Sequence, residues 1–325
     1  MSPSQHLSGK VALVTGGGNG IGRGVALTFA AQGAAVLVND YGGPTSELGE
    51  GSRSAADDVV AEITASGGRA AANYGNVASF DDGEAMVQQA IDTFGDLDIV
   101  VCCAGILRER MVFNMPQIDW DEVIAVHLTG HFNVTRFASA WFRQQRKGRL
   151  IFFSSGAMFG SAGQPNYAAA KGGIYSFARS CANALQKYGV TVNVILPSAS
   201  TRLMDRTLSA QQQTAELDFL PSERNRGTRR DPTNVAPWLV FLASDAGQEF
   251  NGQAFGVRGH EVAIYTHPVE KFVLESEGDE PWDIDRLFER AQAEMLPQLE
   301  QTQWAPSKWS YDVWQDEDAV LKQAE

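Results

Sequence analysis

The first 260 residues alternate between short apolar runs and amphipathic stretches. Lys10–Thr15 (KVALVT), Ala35–Asn39 (AVLVN), Ala70–Tyr74, Leu97–Cys102, Arg149–Ser154, Val190–Leu196 and Ala254–Val257 read as strands. Between them, Ile21–Gln32, Ser54–Ser66, Phe80–Phe94, Trp120–Gln144, Tyr167–Tyr188 and Asn234–Ala243 carry helical spacing, and Gly33 and Gly67-Gly68 stop the first two. A strand that is apolar on both faces must be covered on both, so the pattern predicts a parallel sheet between two helix layers. Right-handed crossovers then give a single α/β domain with a Rossmann-type doubly wound sheet.

Two stretches break the rhythm. Tyr41–Arg53 is polar and glycine-rich, as a surface loop is, and Ser198–Pro232 is charged with few strand signals, as expected of a lid-like segment at the strand ends. Beyond residue 264 the pattern changes again. Asp283–Met295 predicts an amphipathic helix, and Trp282, Trp304, Trp309 and Trp314 crowd into the same region. The expected organisation is a dinucleotide-binding and catalytic domain over 1–264. An acidic, Trp-rich extension over 265–325 should pack on the body or on a neighbouring subunit.

Charge sharpens this division. The net charge is −13, and residues 261–325 hold 16 acidic against five basic side chains, so the body is close to neutral. An acidic chain of this kind is a poor partner for nucleic acid or an anionic membrane surface. No apolar run reaches the ~20 residues of a membrane helix. Met1–Lys10 and the terminal Gln-Ala-Glu read as neither signal peptide nor organelle address, which points to the cytoplasm. Cys102, Cys103 and Cys181 form neither a disulfide framework nor a zinc spacing, so no metal is expected.

Candidate chemistry begins at Thr15-Gly16-Gly17-Gly18-Asn19-Gly20-Ile21-Gly22, between the first strand and the first helix. Glycines there let the backbone approach a pyrophosphate, and the helix start offers N–H donors. The second strand ends at Asn39-Asp40, where a carboxylate suits adenosine ribose hydroxyls and repels a 2′-phosphate, favouring NAD over NADP. Further on, Tyr167 and Lys171 stand four apart and share one helix face. An ammonium beside a phenol is expected to lower its pKa and fit it for proton transfer to a carbinol oxygen. Ser154 ends the preceding strand thirteen residues earlier and can hold that oxygen; Ser155 is the adjacent alternative.

Over residues 8–260 the chain resembles the short-chain dehydrogenase/reductases. The resemblance rests on TGGGNGIG at 15–22, CAG at 103–105, SSGAMFG at 154–160 and YAAAK at 167–171. VLVNDYGG at 36–43, CAGILRER at 103–110, VHLTGHF at 126–132 and GQPNY at 163–167 are similar to the (3R)-hydroxyacyl-CoA dehydrogenase part of type 2 peroxisomal multifunctional enzymes and their bacterial relatives. The resemblance implies Tyr167 as general acid/base, Lys171 as its modulator and nicotinamide-ribose ligand, and Ser154 as the group orienting the substrate oxygen. His127 stands in the proton relay where the family usually has Asn. Gly16, Asn19, Gly20, Ile21, Gly22, Asp40, Asn76, Val77, Ala104 and Gly105 would line the NAD site. A homodimer or homotetramer built on the helices at 120–144 and 167–188 is implied as well. The family's Asn-Asn-Ala-Gly is Cys102-Cys103-Ala104-Gly105 here, and Pro197-Ser198 replaces its Pro-Gly.

The substrate is less legible. Arg202, Arg224, Arg226, Arg229 and Arg230 suit the phosphates of coenzyme A, a solvated basic loop, or a dock for the acidic tail. The readings carried forward are a 3-hydroxyacyl-CoA dehydrogenase, a dehydrogenase of free secondary alcohols such as hydroxysteroids, and a non-catalytic NAD-binding regulatory subunit.

Overall fold

The structure is a computed structural model that describes residues 5–43, 54–207, 220–270, 272–276 and 283–299. The chain divides into two compact units, Met1–Tyr265 and Thr266–Glu325. In the first, strands β1 (Val11–Thr15), β2 (Ala35–Asn39), β3 (Arg69–Asn73), β4 (Ile99–Cys102), β5 (Gly148–Phe153), β6 (Val190–Ser198), β7 (Ala254–Arg258) and β8 (Glu261–Ile264) form one sheet of order β3-β2-β1-β4-β5-β6-β7-β8. Neighbours pair in parallel from β3 through β7.

The last pair corrects the all-parallel expectation. β8 runs antiparallel to β7, with Arg258 opposite Glu261. Two residues close this hairpin, and Gly259 takes φ +56, a region where a side chain is strained. β8 is largely exposed, so it lacks the continuous apolar run that marks the buried strands.

Alternation along the strands sorts side chains into two cores. Leu13, Val100, Leu150 and Phe152 face one side, with α3 (Phe80–Phe94), α5 (Gly130–Gln145) and α6 (Pro165–Leu185). Ala12, Val14, Val101 and Ile151 face the other, with α1 (Gly20–Ala31), α2 (Ser54–Ala65) and α8 (Ala236–Ala243). Phe29, Phe142 and Phe152 are fully enclosed; truncating any of them to Ala costs about 3–5 kcal/mol. Local signals agree with this packing. Ser79 caps α3 by accepting the N–H of Asp82, and Gly95 ends the helix in the left-handed region.

The stretch expected as one helix over Trp120–Gln144 is broken. It consists of α4 (Gln117–Ile124), a π turn over Ala125–Thr129, and α5. One extra residue in the turn re-aims His127, and periodicity alone does not reveal such an insertion. Within 198–232, a short helix α7 (Pro221–Arg224) is tied back through Ser222 N–H to Asp205 Oδ1, 2.9 Å, and Ser200 N–H donates to the Arg230 carbonyl.

In the second unit, α9 (Ile284–Arg290) is capped by Asp283. A π turn (Ala291–Met295) and α10 (Leu296–Leu299) follow it, where the amphipathic helix was expected. The four tail tryptophans lie outside the described residues. Among the described residues no helix is long and apolar enough to cross a membrane, and no cluster of His, Cys, Asp or Glu could hold a metal.

Candidate active site

In this sheet order the chain turns away in opposite directions after β1 and β4, which opens a crevice at their C-terminal ends. The cleft there is lined by every residue the sequence reading placed at the cofactor or the chemistry.

Its floor is the glycine turn. Gly16 has φ +64, and a Cβ on it would lie 2.7 Å from Ala104 Cα; a Cβ on Gly22 would lie 2.1 Å from the Gly16 carbonyl oxygen. Both obstacles are backbone, so neither position accepts a side chain without moving the turn. Thr15 Oγ1 accepts the N–H groups of Cys103 and Ala104 at 3.1 and 3.3 Å, locking the ends of β1 and β4 together. Asn19 makes no side-chain cap on α1, and Gly20, Ile21 and Gly22 face the cleft from that helix start. An uncapped helix N-terminus in a cleft is an anion site. This cradle fits a dinucleotide pyrophosphate.

One wall comes from β2 and β3. Asp40 Oδ2 accepts from Gly18 N at 2.9 Å and Oδ1 from Gly42 N at 2.8 Å, so its carboxylate is fixed at the cleft edge. Buried Asn39 donates to Asn73 Oδ1 and the Gly75 carbonyl, bracing the loop that carries Asn76 and Val77. Asn76 Oδ1 accepts from Ala78 N, and the Val77 carbonyl accepts from Asn133 Nδ2 on α5.

The opposite wall holds the reactive groups. Tyr167 and Lys171 lie on α6, whose start is pinned by buried Asn166, a donor to the carbonyls of Arg108 and Asp119. Lys171 Nζ donates to the Phe153 carbonyl at 2.6 Å and sits 5.3 Å from the centre of the Tyr167 ring. Burial lowers the Lys171 pKa to about 8. Burial also pushes Tyr167 up to about 12, although the Ser155 hydroxyl bonded to it pulls the other way. The direction differs from the expected lowering: enclosure raises the phenol, and Lys171 is held on a carbonyl. Ser154 and Ser155 both line the cleft, and Ser154 is the more buried. Its Oγ donates to the Lys171 carbonyl at 2.8 Å, while Ser155 is the serine whose side chain meets Tyr167.

His127 reaches the cleft from the π turn. Its Nε2 lies 3.1 Å from Ile106 N and 2.8 Å from Ile106 O, and its ring stands edge-on to Tyr167 at 5.1 Å. Burial, then the Lys171 charge, holds its pKa well below the usual imidazole value, so it is neutral. A Cβ on Gly105 would strike the imidazole at 2.4 Å, which explains the glycine at that position.

Of the five candidate lid arginines, Arg202 lines the cleft. Arg224, Arg226, Arg229 and Arg230 are exposed and do not, and Arg229 lies 3.8 Å from Glu261. Asn39, Ile106, Thr201 and Met204 also line the cleft but carried no chemical signature in the sequence; only their place at or beyond strand ends could have marked them. Cys103 lines it too, as a thiol pushed up to about 12 by burial, a packing residue and no nucleophile.

A nicotinamide-type cleft with a Ser-Tyr-Lys set on a doubly wound sheet defines an oxidoreductase acting on a CH–OH group. The family model of the short chain dehydrogenases matches residues 10–213, and the chain belongs to that family. It is 41% identical over 258 residues to mouse peroxisomal multifunctional enzyme type 2, covering 79% of this chain and 32% of that protein. The chain thus spans about a third of the multifunctional enzyme. It is 40% identical over 296 residues to hydroxyacyl-CoA dehydrogenase ChsB1 of Mycobacterium tuberculosis, covering 86% and 87%. A solved short chain dehydrogenase from Mycobacterium avium superposes with a TM-score of 0.76 at 38% identity, over 90% of this chain and 96% of that one. Membership of a dehydrogenase family argues against the non-catalytic reading.

Proposed function

We propose that the protein interconverts a secondary alcohol and its ketone with NAD(H), and that its substrate is a 3-hydroxyacyl-CoA. The observation that carries the reading is the meeting, in one cleft, of the glycine cradle, the Asp40 carboxylate and the Ser-Tyr-Lys set. The name of the mycobacterial relative supports the acyl-CoA.

When bound, the dinucleotide supplies hydride transfer. Gly16, Asn19, Gly20, Ile21 and Gly22 would hold its pyrophosphate, Asp40 its adenosine ribose, Asn76 and Val77 its adenine, and Ala104 and Gly105 its nicotinamide half, with Lys171 on the second ribose. A carboxylate at position 40 repels a 2′-phosphate, hence NAD. Tyr167 keeps its proton at neutral pH and presents it at Oη to a substrate oxygen, with Ser155 bonded to the phenol and Ser154 behind it. Arg202 supplies a positive charge in the cleft for a phosphate-bearing substrate.

The remaining expectations follow the same reading. Phe132 on α5 is 44% exposed, stacks with Phe80 and meets Phe177 edge-on, an aromatic face that suits assembly of copies through α5 and α6. Sedimentation of wild type against Phe132→Asp tests this; an unchanged oligomer would refute it.

The activity is tested with NAD and NADP in parallel against 3-hydroxyacyl-CoAs, their free acids and hydroxysteroids, with Tyr167→Phe as control. Turnover of the CoA ester but not of its acid, with NAD preferred, is expected. Turnover of free alcohols alone would replace the acyl-CoA reading with the hydroxysteroid one, and NADP preference would overturn the role of Asp40.

A further inference from the structure

His131 lies one turn beyond His127 and is 2% exposed, yet it does not line the cleft. Its Nδ1 is 2.6 Å from the His127 carbonyl oxygen. A carbonyl only accepts, so Nδ1 carries the proton in this contact. The ring stands edge-on to Phe152 of β5 at 5.3 Å, which fixes its plane. The carbonyl it grips belongs to the π turn, and the same residue's imidazole holds the Ile106 backbone and borders the Tyr167 ring. A continuous line of contacts therefore runs from the sheet, through His131 and the π turn, to the wall of the catalytic centre.

We infer that His131 is a positioning residue: its Nδ1–H holds the π turn that keeps the His127 imidazole against Ile106 and Tyr167. An apolar ring at 131 would keep the packing on Phe152 but release the His127 carbonyl. The turn could then relax toward a regular helix, swinging His127 by up to a residue's rotation about the axis. An amide at 131 has an N–H donor near the position of Nδ1 and restores the grip. The effect on turnover rests on the dehydrogenase reading above, whereas the effect on His127 does not.

The test compares His131→Phe and His131→Asn with wild type by steady-state kinetics, thermal melting and imidazole ¹⁵N spectra. His131→Phe is expected to lower kcat by about 10–100-fold with KM changed less than about threefold, the scale of a misplaced catalytic wall. His131→Asn is expected to recover kcat to within about threefold of wild type. In the spectra, His131 should be the Nδ1–H tautomer, and the His127 signals should shift in His131→Phe and return in His131→Asn. Equal losses of kcat in both variants, or folded His131→Phe with wild-type kcat, would overturn the proposal. Unmoved His127 signals in His131→Phe would overturn it even if no substrate on the panel is turned over. Shifted signals without turnover by wild type would instead count against the proposed substrate and leave the positioning role standing.

Discussion

The two ends of the sheet treat their lysines in opposite ways. At the N-terminal end of the strands, Lys147 bridges Asp96 and Asp98 at 2.6 and 2.7 Å, Asp98 also accepts the Val11 N–H at 2.9 Å, and Lys10 meets Asp245 at 3.0 Å. Both lysines there have carboxylates, while buried Arg149 donates to the Gly148 carbonyl. At the C-terminal end, Lys171 is enclosed with a carbonyl as its bonded partner, and His127 Nδ1 is buried without one. The first end ties α5 to β1 and β4 and stabilises; the second keeps polar groups under-satisfied where a ligand's atoms would meet them. Protein interiors tolerate that cost chiefly at functional sites.

The contrast can be broken at either end. The largest effect is expected from Tyr167→Phe, which removes the proton donor and should lower kcat by about 10²–10⁴-fold with the melting temperature nearly unchanged, as kinetics and calorimetry will show. Asp98→Ala should do the reverse. It strips a partner from Lys147 and from the buried Val11 N–H, so denaturant unfolding should register a loss of about 1.5–3 kcal/mol while kcat stays put. A substantial fall in kcat per folded molecule there would refute the division of labour.

Asp40→Ser tests the cofactor edge. Without the carboxylate the ratio of kcat/KM for NADP over NAD should rise about tenfold, roughly 1.4 kcal/mol.

The smallest effect is on pH. The fold lowers the Lys171 pKa to about 8, so between 8 and its ordinary value near 10.5 the unfolded chain binds more protons and Lys171's contribution to stability grows with pH. The buried thiols Cys102 and Cys103 are shifted up and act in the opposite sense, so the readout is a difference. The melting temperature of wild type relative to Lys171→Met should rise from pH 8 to 10. At the other end Lys147 is shifted up, despite its partial burial, by Asp96 and Asp98. Its contribution is present below 10.5 and is lost only as pH passes above that value, so a Lys147→Met difference should be flat over the same range.

Much of this was legible along the chain, because it depends on residues near in sequence. Short apolar runs set seven strands, glycines between β1 and α1 set the cradle, and a four-residue spacing put Tyr167 and Lys171 on one face. Local sterics and helix periodicity determine these features wherever they occur. What depended on enclosure was decided by the tertiary structure. Burial raises the Tyr167 pKa, an effect that the four-residue spacing to Lys171 does not show. Of the two candidate serines, Ser155 meets that phenol while the Ser154 hydroxyl is turned to the Lys171 carbonyl. The π turn that brings His127 to Ile106, and the exposed β8 that closes the sheet, leave little trace in hydropathy: one is a single-residue insertion within continuous helical spacing, the other a solvent-facing edge. Sequence neighbours determine which elements form; desolvation and close contact between distant segments determine what their side chains can do.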